Sequence, residues 1–464
     1  MLAYTDGVVL TAHGKSDLLP GISRTYSLVL PRADQSLYNM FIGAGTYTVT
    51  ARPSDAAIPS ERRQIKNAAA GTLLGQSFEF KSFDQTLVLT GTLYKTLPPS
   101  PTFQTGLALQ AFESANGQPL SQVAIVQSNG AFELYVHPDA AALPSLTLIA
   151  TPRDNTALVP TKSFVISPVP RTQETLAPLE LGNFGDALPL ISGRILSAAG
   201  APVKGATVML EGAVNGGGSF RSRTVITDMN GIFGVDLLPS ATGHAYTLTA
   251  IPPPESAAGI LQTQVRAGLD GQGKPALLSA TKDEPRSDFT CPSRVLFTGT
   301  VLNPDGSAAV GVRVEATATA PLDMRPVPTS IATAVTGPSG LYTLMLDPAW
   351  YRFDYVAYDP KLPRKSRVVR VEQTEAEVQT DAGTRNDEYR LSVGRTVTGV
   401  VTVRPNSDGS AMNVPGTPAA NALVRFYRVT TVEGVASSLL IGEGYSDQNG
   451  TYSIALPSSG PSTR

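Results

Sequence analysis

Apolar and polar residues alternate along many short stretches of this chain, and these stretches recur in one order. The first stretch has a glycine at its centre, as in residues 89–93 and 297–301, and the second follows another glycine, as in residues 311–316. A third stretch follows a turn and ends at a proline such as Pro239 or Pro348. Alternation with a period of two is typical of half-buried β-strands, and Asn-Gly or Asp-Gly pairs form tight turns. The pattern predicts antiparallel sheets with one face in a core.

The whole order repeats about every hundred residues. An aromatic residue in the third stretch recurs at steps of 106, 101, 109 and 110 residues, at Tyr26, Phe132, Phe233, Tyr342 and Tyr452. Such a period is too long for a solenoid repeat and matches one self-sufficient β-sandwich domain. We therefore predict five tandem domains, over residues 1–87, 88–187, 188–293, 294–394 and 395–464.

The first and last units lack part of the repeating pattern. The glycine-centred strand begins the second and third units 41 and 40 residues before the aromatic residue, whereas only 25 residues precede Tyr26. The last unit stops at Arg464, before any fourth strand pattern. Two interpretations remain open. Either the sequence is a piece of a longer chain, or an incomplete sandwich accepts a strand from a neighbouring copy, which would join copies end to end.

The third unit carries the motifs of the repeat in their fullest form. They are Gly193, Gly205-Ala206-Thr207-Val208, Thr227-Asp228, Gly231-Ile232-Phe233, Leu238-Pro239 and Tyr246-Thr247-Leu248. This series resembles the carboxypeptidase regulatory-like domain, a group similar to transthyretin-like and collagen-adhesin B-type sandwiches. The resemblance covers nearly the whole chain. It implies an all-β fold of Ig-like or prealbumin-like Greek-key sandwiches and a role in building stalks or adhesive surfaces, and it transfers no catalytic residue.

Collagen-adhesin relatives often carry a Lys–Asn isopeptide crosslink beside a carboxylate. Lys95 and Lys204 are the lysines nearest the strands concerned. No equivalent lysine recurs in the other units, and the last strands lack the expected Glu. We therefore expect no such crosslink in most of the domains.

Charge and composition narrow the class of function. The 36 basic and 38 acidic residues leave a net charge of −2, which gives no electrostatic attraction to nucleic acid. Charged residues make up 16%, against the roughly 25% of typical globular chains, and the single cysteine, Cys291, permits no internal disulfide. No apolar run reaches the roughly 18 residues of a membrane-spanning helix, and no export signal is visible. This composition favours a bacterial extracytoplasmic protein whose signal lies outside this chain.

Few residues offer catalytic or metal-binding chemistry. His13, His137 and His244 lie in three different units, without neighbours at zinc-ligand spacing, and no nucleophile elbow is present. Segments 228–231 and 447–450 resemble the opening of a calcium loop but lack its later ligands, so hairpin turns explain them better. Cys291 is interpreted as a structural thiol. We predict no catalytic residue, cofactor or metal.

Residues 350–358 form the one concentration of aromatic side chains. Alternation assigns Phe353, Tyr355 and Ala357 to the core, where aromatic residues are common. Trp350 and Tyr358 then point outward, at a seam between domains or on a platform that stacks on sugar rings. We favour the first interpretation and name Trp350 and Tyr358 as candidate ligand or partner contacts.

Together these features predict a non-enzymatic, extracellular component of a bacterial cell surface. It would serve as a multidomain stalk, filament component or adhesin, and would contact protein partners or neighbouring copies end to end. Two alternatives remain open. One is an accessory carbohydrate-binding region of a larger secreted enzyme, which predicts binding to a surface glycan, and the other is a scaffold subunit of an envelope machine.

Overall fold

The computed structural model describes residues 7–16, 23–30, 40, 42, 45–55, 58–68, 78, 80, 87–96, 102–115, 117, 119–154, 158–322, 331–359, 361–373, 384–403, 416–432 and 435–457. In this part of the chain the only helical element is one 3-10 turn, Pro138–Ala142, and all other regular structure is β-strand. None of the described residues forms a helix long and apolar enough to cross a membrane. The all-β fold class predicted from the sequence is confirmed. We call the five predicted domain ranges the first to fifth units, and their limits stay predictions.

The described strands of the first unit form a single sheet. It has the order β2-β1-β3-β4, with β1 (Val8–Ser16), β2 (Ser23–Leu30), β3 (Gly45–Pro53) and β4 (Glu61–Ala68). Leu10, Tyr47 and Val49 are buried on its inner face, at every second position of their strands. That spacing is the period-two burial expected of a sheet with one face in a core.

Two sheets enclose the core of the second unit. Its strands are β5 (Leu87–Thr96), β6 (Thr102–Phe103), β7 (Leu107–Glu113), β8 (Ala124–Ile125), β9 (Ala131–Val136), β10 (Leu146–Pro152), β11 (Lys162–Ile166), β12 (Glu174–Thr175) and β13 (Leu179–Glu180). One sheet has the order β12-β5-β9, with β6 and β13 also on β5, and the other has the order β11-β10-β7-β8. Leu89 and Phe132 of the first sheet share one apolar cluster with Leu109 and Leu148 of the second.

The third unit has the same two-sheet plan. Its strands are β14 (Leu188–Leu196), β15 (Thr207–Val214), β16 (Gly218–Arg221), β17 (Val225–Ile226), β18 (Ile232–Leu237), β19 (Tyr246–Ile251), β20 (Leu261–Leu269), β21 (Pro275–Ser279) and β22 (Asp288–Thr290). The sheets have the orders β18-β14-β22 and β16-β15-β19-β20-β21, with β17 also on β15. Its buried residues belong to the same continuous apolar cluster as those of the second unit.

The fourth unit repeats the plan around an apolar cluster of its own. Its strands are β23 (Val295–Leu302), β24 (Arg313–Pro321), β25 (Ala332–Val335), β26 (Leu341–Leu346), β27 (Ala349–Val356), β28 (Lys365–Val371) and β29 (Thr384–Arg390). They form sheets of order β26-β23-β29 and β25-β24-β27-β28. The fifth unit shows strand pairs only: β30 (Gly394–Val400) with β35 (Thr451–Pro457), β31 (Thr402–Val403) with β32 (Thr417–Pro418), and β33 (Leu423–Val432) with β34 (Val435–Tyr445).

Four of the five recurring aromatic residues lie against the central glycine of the opening strand. The register pairs are Gly91 with Phe132, Gly193 with Phe233, Gly299 with Tyr342, and Gly399 with Tyr452. A β-carbon on any of these glycines would lie only 2.4 to 2.7 Å from the aromatic side chain. The glycine therefore leaves the space that the ring fills, which explains why the glycine and the aromatic residue recur together.

Tyr26 is the exception to this relationship. It lies on β2 and pairs with Ala12 of β1, inside the sheet that continues into β3 and β4. The expected equivalence of Tyr26 with Phe132 is therefore wrong. Because β1 and β2 are consecutive along the chain, they pair as a hairpin, whereas the other four aromatic residues pair with a strand far upstream.

A buried hydroxyl group holds the backbone just before the turn that leads to the recurring aromatic residue. The hydroxyl of Thr336 accepts a hydrogen bond from the Val312 N–H at 2.9 Å and donates to the Ala309 carbonyl at 2.6 Å. Thr227 and Ser446 make the same pair of bonds in the third and fifth units. Each hydroxyl satisfies two backbone groups that the sheet leaves unpaired.

Candidate functional site

Polar side chains concentrate at the joints between successive units. In each of the first four units one loop connects two neighbouring strands of a sheet: β3 to β4, β10 to β11, β19 to β20, and β27 to β28. We call the described residues of these loops the joint loops: 54–55 and 58–60, 153–154 and 158–161, 252–260, and 357–359 with 361–364. Each joint loop, or the residue at its edge, makes hydrogen bonds to the unit that follows.

The third joint is the most deeply buried of the four. Arg294 and Asp347 of the fourth unit pair at 3.0 Å, and their side chains are only 6% and 10% exposed. The Arg294 guanidinium also donates to the carbonyls of Pro253 at 2.7 Å and Ser256 at 3.2 Å. The second oxygen of Asp347 accepts the Ile260 N–H at 2.8 Å. A buried ion pair whose remaining groups are hydrogen-bonded is directional, so this pair holds the third joint loop in one orientation.

The first joint uses an amide and a histidine. The Gln122 side chain of the second unit donates to the carbonyls of Asp55 at 2.7 Å and Ile58 at 2.5 Å. His137 Nε2 lies 2.8 Å from an Oε1 of Glu61, whose side chain is 5% exposed. His137 and Asp347 occupy corresponding places, because each directly follows its strand and precedes a proline. Among the three histidines, His137 thus contributes to a contact between units.

The second joint is held by a lysine and a two-strand bridge. Lys162 Nζ donates to the carbonyls of Leu181 at 2.9 Å and Gly216 at 2.6 Å. Burial lowers the pKa of Lys162, since desolvation disfavours its charged form. Thr161 and Ser219 exchange backbone hydrogen bonds of 2.8 and 2.9 Å. The second and third units are therefore joined through backbone groups as well as through their shared apolar cluster.

Arg364 organises the fourth joint. Its guanidinium lies 3.1 Å from carboxylate oxygens of Glu315 and Asp354 within the fourth unit. It also lies 3.3 Å from Glu443 of the fifth unit, and Glu443 in turn pairs with Arg425 at 3.1 Å. Asp354 is 2% exposed although it lies on the outer face of β27, and a carboxylate buried in this way is costly without such partners.

A second polar cluster lies inside the fourth unit and connects its two sheets. Arg367 of β28 forms an ion pair with Asp387 of β29 and donates to the Tyr355 hydroxyl at 2.9 Å. The rings of Tyr355 and Tyr389 stack with their centroids 4.1 Å apart, and the Arg367 guanidinium lies 5.0 Å from the Tyr389 centroid. Burial raises the pKa of Tyr355, so its hydroxyl stays protonated. We call Arg367, Asp387, Tyr355 and Tyr389 the internal clamp.

The two candidate contact residues on β27 and beyond it lie apart. Trp350 is 38% exposed, and the Arg370 guanidinium lies 5.6 Å from the centroid of its ring. Tyr358 is 93% exposed and follows the end of β27. From Trp350 to its end at Val356, β27 spans roughly 20 Å, and Tyr358 lies beyond that end, so the two side chains lie far apart along the chain. Their role in binding stays a prediction.

The core residues of the same segment are placed as predicted. Phe353 and Tyr355 are fully buried, and Ala357 is partly buried against the same cluster. Tyr351, which the prediction did not include, is also buried, and its hydroxyl donates to the Asp347 carbonyl at 2.9 Å. Ala349 is buried on the same face, so the inward alternation begins four residues earlier than expected and reaches the third joint.

The other candidate residues have local partners. His13 Nδ1 lies 2.8 Å from the Thr25 hydroxyl, and the Asp228 and Asp447 carboxylates accept N–H groups of their own turns at 2.8 Å. His244 donates its backbone N–H to the Ala241 carbonyl at 2.9 Å. Within the described residues no group of three or more His, Cys, Asp or Glu side chains is placed to hold a metal.

The lysines and the cysteine considered from the sequence lie in different surroundings. Lys95 Nζ lies 4.7 Å from the centroid of the Phe184 ring, whereas Lys204 is exposed in the turn before β15. Cys291 is fully buried and lies three residues before Arg294 of the third joint. Burial raises the pKa of its thiol to about 12. The thiol is thus held in its protonated, unreactive form.

Sequence reasoning did not identify Gln122, Lys162, Arg294 or Arg364 as joint residues. One signal was available in the sequence. Leucine precedes the proline in Leu238-Pro239 and Leu456-Pro457, whereas a polar residue precedes it in His137-Pro138 and Asp347-Pro348. These two polar residues pair with Glu61 and Arg294 at the first and third joints. A polar residue in an apolar place of the repeat marks a contact outside the unit's own core.

Comparisons with known proteins give only distant structural similarity. No protein-family model matches the chain, and no curated protein matches it, so the resemblance to the carboxypeptidase regulatory-like domain stays a prediction. Among solved structures, the Bacillus anthracis TIE protein is 11% identical with a TM-score of 0.19, over 83% of this chain and 69% of that one. A Streptococcal ancillary pilin is 13% identical with a TM-score of 0.23, over 66% and 99%. BcpA, the major pilin subunit of Bacillus cereus, is 10% identical with a TM-score of 0.20, over 66% and 99%. Values this low establish no common function.

Proposed function

We propose that this chain is a non-enzymatic structural component of a bacterial cell surface. Its tandem β-sandwich units act as a stalk or filament segment that holds a partner at a distance or joins neighbouring copies end to end. The observation that carries the proposal is the third joint, where Arg294 and Asp347 bind the preceding joint loop through a buried ion pair and backbone carbonyls.

A joint of this kind suits a structural role for a physical reason. Contacts between domains of one chain are usually modest and polar, so domains reorient freely unless specific bonds hold them. Here the side chain of Arg294 is 6% exposed and would lose the carbonyls of Pro253 and Ser256 if the units bent apart. Leaving buried charged groups without these hydrogen bonds is costly, so the third joint resists bending. Polar contacts at the other three joints extend the same effect along the chain.

Two measurements test the proposal. Antibody labelling of intact cells of the source organism should decorate the surface, and cryo-EM images of the isolated chain should show a narrow range of angles between the third and fourth units. Labelling only after the cells are opened would contradict the surface role. A broad distribution of angles at the third joint would contradict the structural one.

The accessory carbohydrate-binding alternative draws support from Trp350 alone. An exposed indole on a strand can stack on a sugar ring, and Arg370 next to it can donate hydrogen bonds to hydroxyl groups. A glycan array probed with the chain and with its Trp350→Ala variant tests this role. Binding that needs Trp350 would favour the alternative, and binding that survives the substitution would remove it.

A further inference from the structure

The first and last strands of a unit lie side by side and run parallel in the second, third and fourth units. In the fourth unit β23 pairs with β29 through seven successive residue pairs, from Leu296 with Thr384 to Leu302 with Arg390. The Leu391 N–H adds a hydrogen bond of 2.8 Å to the Leu302 carbonyl. All other pairings of β23 and its neighbours in this unit are antiparallel.

Parallel pairing decides how tension acts on such a unit. A pull along the chain enters the unit at the start of the first strand and leaves at the end of the last strand. When the two strands are parallel, these points lie at opposite ends of the pair, so the strands must slide and every hydrogen bond between them is loaded together. Antiparallel terminal strands would be pulled from the same end and would separate one bond at a time. Forced unfolding is governed by the barrier to unfolding, and simultaneous loading raises that barrier.

The three units differ in the length of this parallel pairing. The third unit has three residue pairs, from Arg194 with Asp288 to Leu196 with Thr290. In the second unit the last strand is split, and β12 and β13 each give β5 two pairs. The fourth unit, with seven pairs, thus loads the largest number of backbone hydrogen bonds at once.

Side chains reinforce the last strand more strongly in the fourth unit than in the third. The internal clamp ties Asp387 and Tyr389 of β29 to the opposite sheet through an ion pair and a stacked ring at 4.1 Å. In the third unit Asp288 pairs with Arg194 at 2.7 Å, but both side chains are more than 40% exposed. Exposed pairs contribute little, so that contact adds less than the clamp.

We propose that the chain bears load along its length and that the fourth unit is its mechanically strongest described element, the last of these three units to unfold under tension. This inference rests on the proposed stalk or filament function, because only an anchored chain with a distal partner is pulled from end to end.

Single-molecule force spectroscopy on the full chain tests the proposal in two directions. Handles at the two chain ends load β23 and β29 in shear. Handles on cysteines introduced at Val310 and Val393, which are 59% and 62% exposed, load the same strands from one end. Cys291 does not compete for the handles because its thiol is buried. We expect the fourth unit to unfold at a severalfold higher force in the first geometry than in the second. Equal forces in the two geometries would overturn the proposal.

The order of unfolding gives the second readout. A glycine–serine insertion at Gly271, which faces open space, lengthens the third unit and identifies its step in end-to-end pulling. Asp387→Ala should lower the force of the last step only. Its control is Glu372→Ala, which removes an exposed pair with Arg370 in the same unit and should change nothing. A fourth unit that unfolds before the second or third would refute the proposal even if Asp387→Ala failed to fold.

Location and mechanics can fail separately. Absence of surface labelling on intact cells would refute the proposed function. The difference in unfolding force between the two pulling directions would still stand as measured. Equal forces in both directions would refute load bearing by this pairing wherever the protein is found.

Discussion

The ring of Tyr342 occupies the space above the α-carbon of Gly299. A β-carbon on Gly299 would lie 2.4 Å from the Tyr342 ring, well inside van der Waals contact. Tyr342 is 3% exposed, and its hydroxyl lies 3.4 Å from Asp387 of the internal clamp. The glycine therefore determines where the ring lies, and the ring connects the opening strand of the unit to its last strand.

Gly299→Ala should destabilise the fourth unit. The added methyl group must displace a buried ring, and overpacking of this kind costs roughly 1–3 kcal/mol in free energy of unfolding. Hydrogen exchange of peptides from residues 295–390 measures the change within the full chain. Gly337→Ala is the matched control in the same unit, because its new β-carbon would have only an ordinary contact at 3.9 Å. Equal protection in both variants would contradict the role of the glycine.

Asp347→Ala should loosen the third joint. The substitution leaves the guanidinium of Arg294 buried without its carboxylate and the Ile260 N–H without its acceptor. Removing one partner of a buried pair typically costs about 3–5 kcal/mol. We expect the third and fourth units to unfold in separate calorimetric transitions and the angle between them to broaden in small-angle scattering. Glu284→Ala serves as the control, since its pair with Lys282 is about 70% exposed. A variant with unchanged transitions would show that the pair does not couple the units.

Thr336→Val should weaken the fourth unit next to the turn that precedes Tyr342. The valine keeps the shape but removes the acceptor of the Val312 N–H and the donor to the Ala309 carbonyl. Unsatisfied buried groups cost about 1–3 kcal/mol, so the urea midpoint of this unit should fall. Thr333→Val, at an exposed position of β25, which ends directly before Thr336, should leave it unchanged. The second unit has Val126 at the corresponding place. Val126→Thr should stabilise that unit only if the new hydroxyl reaches both a backbone N–H donor and a carbonyl acceptor.

Cys291 should resist thiol reagents in the folded protein. Burial raises the pKa of its thiol from 9.0 to about 12, so almost no thiolate exists near neutral pH. Mass spectrometry after iodoacetamide treatment should show labelling only once the third unit unfolds. Labelling at the rate of a free cysteine would contradict the burial of the thiol.

The same shift predicts a pH dependence of stability. The unfolded thiol ionises near pH 9.0, whereas the folded thiol stays protonated up to about 12. The stability that the protonated thiol contributes is therefore complete below pH 9.0 and is lost as the pH rises through this window. Buried tyrosines also titrate at high pH, so Cys291→Ala, which should flatten only part of the pH profile, isolates the contribution of the thiol.

The strand pattern of the sequence predicted the fold class well and the joints hardly at all. Alternation and turn residues indicated the strands around Gly193 and Gly299, the burial of Phe353 and Tyr355, and the turns at Asp228, and the structure has all of them. Asp347 appeared only as the residue before a proline, and Arg294 did not stand out. They are 53 residues apart and meet over a loop of the preceding unit.

Tyr26 shows where periodicity misleads. Its segment matches the segment around Tyr452 closely, yet Tyr26 pairs with Ala12 in a hairpin while Tyr452 pairs with Gly399. Both are alternating strands with an aromatic residue, and alternation records only that one face of a strand is buried.

The sequence by itself determined the local properties of this protein. Burial on one face of each strand, the glycine that admits an aromatic ring and the turns with positive φ all depend on neighbours within a few residues, or on a repeat that displays them several times. Only the tertiary structure decided which strands are parallel, that Arg367 meets Asp387, and that Arg294 binds the preceding joint loop. Those contacts join residues distant along the chain. Their partners are chosen by the packing of whole sheets and units, because burial makes an ion pair depend on every group around it.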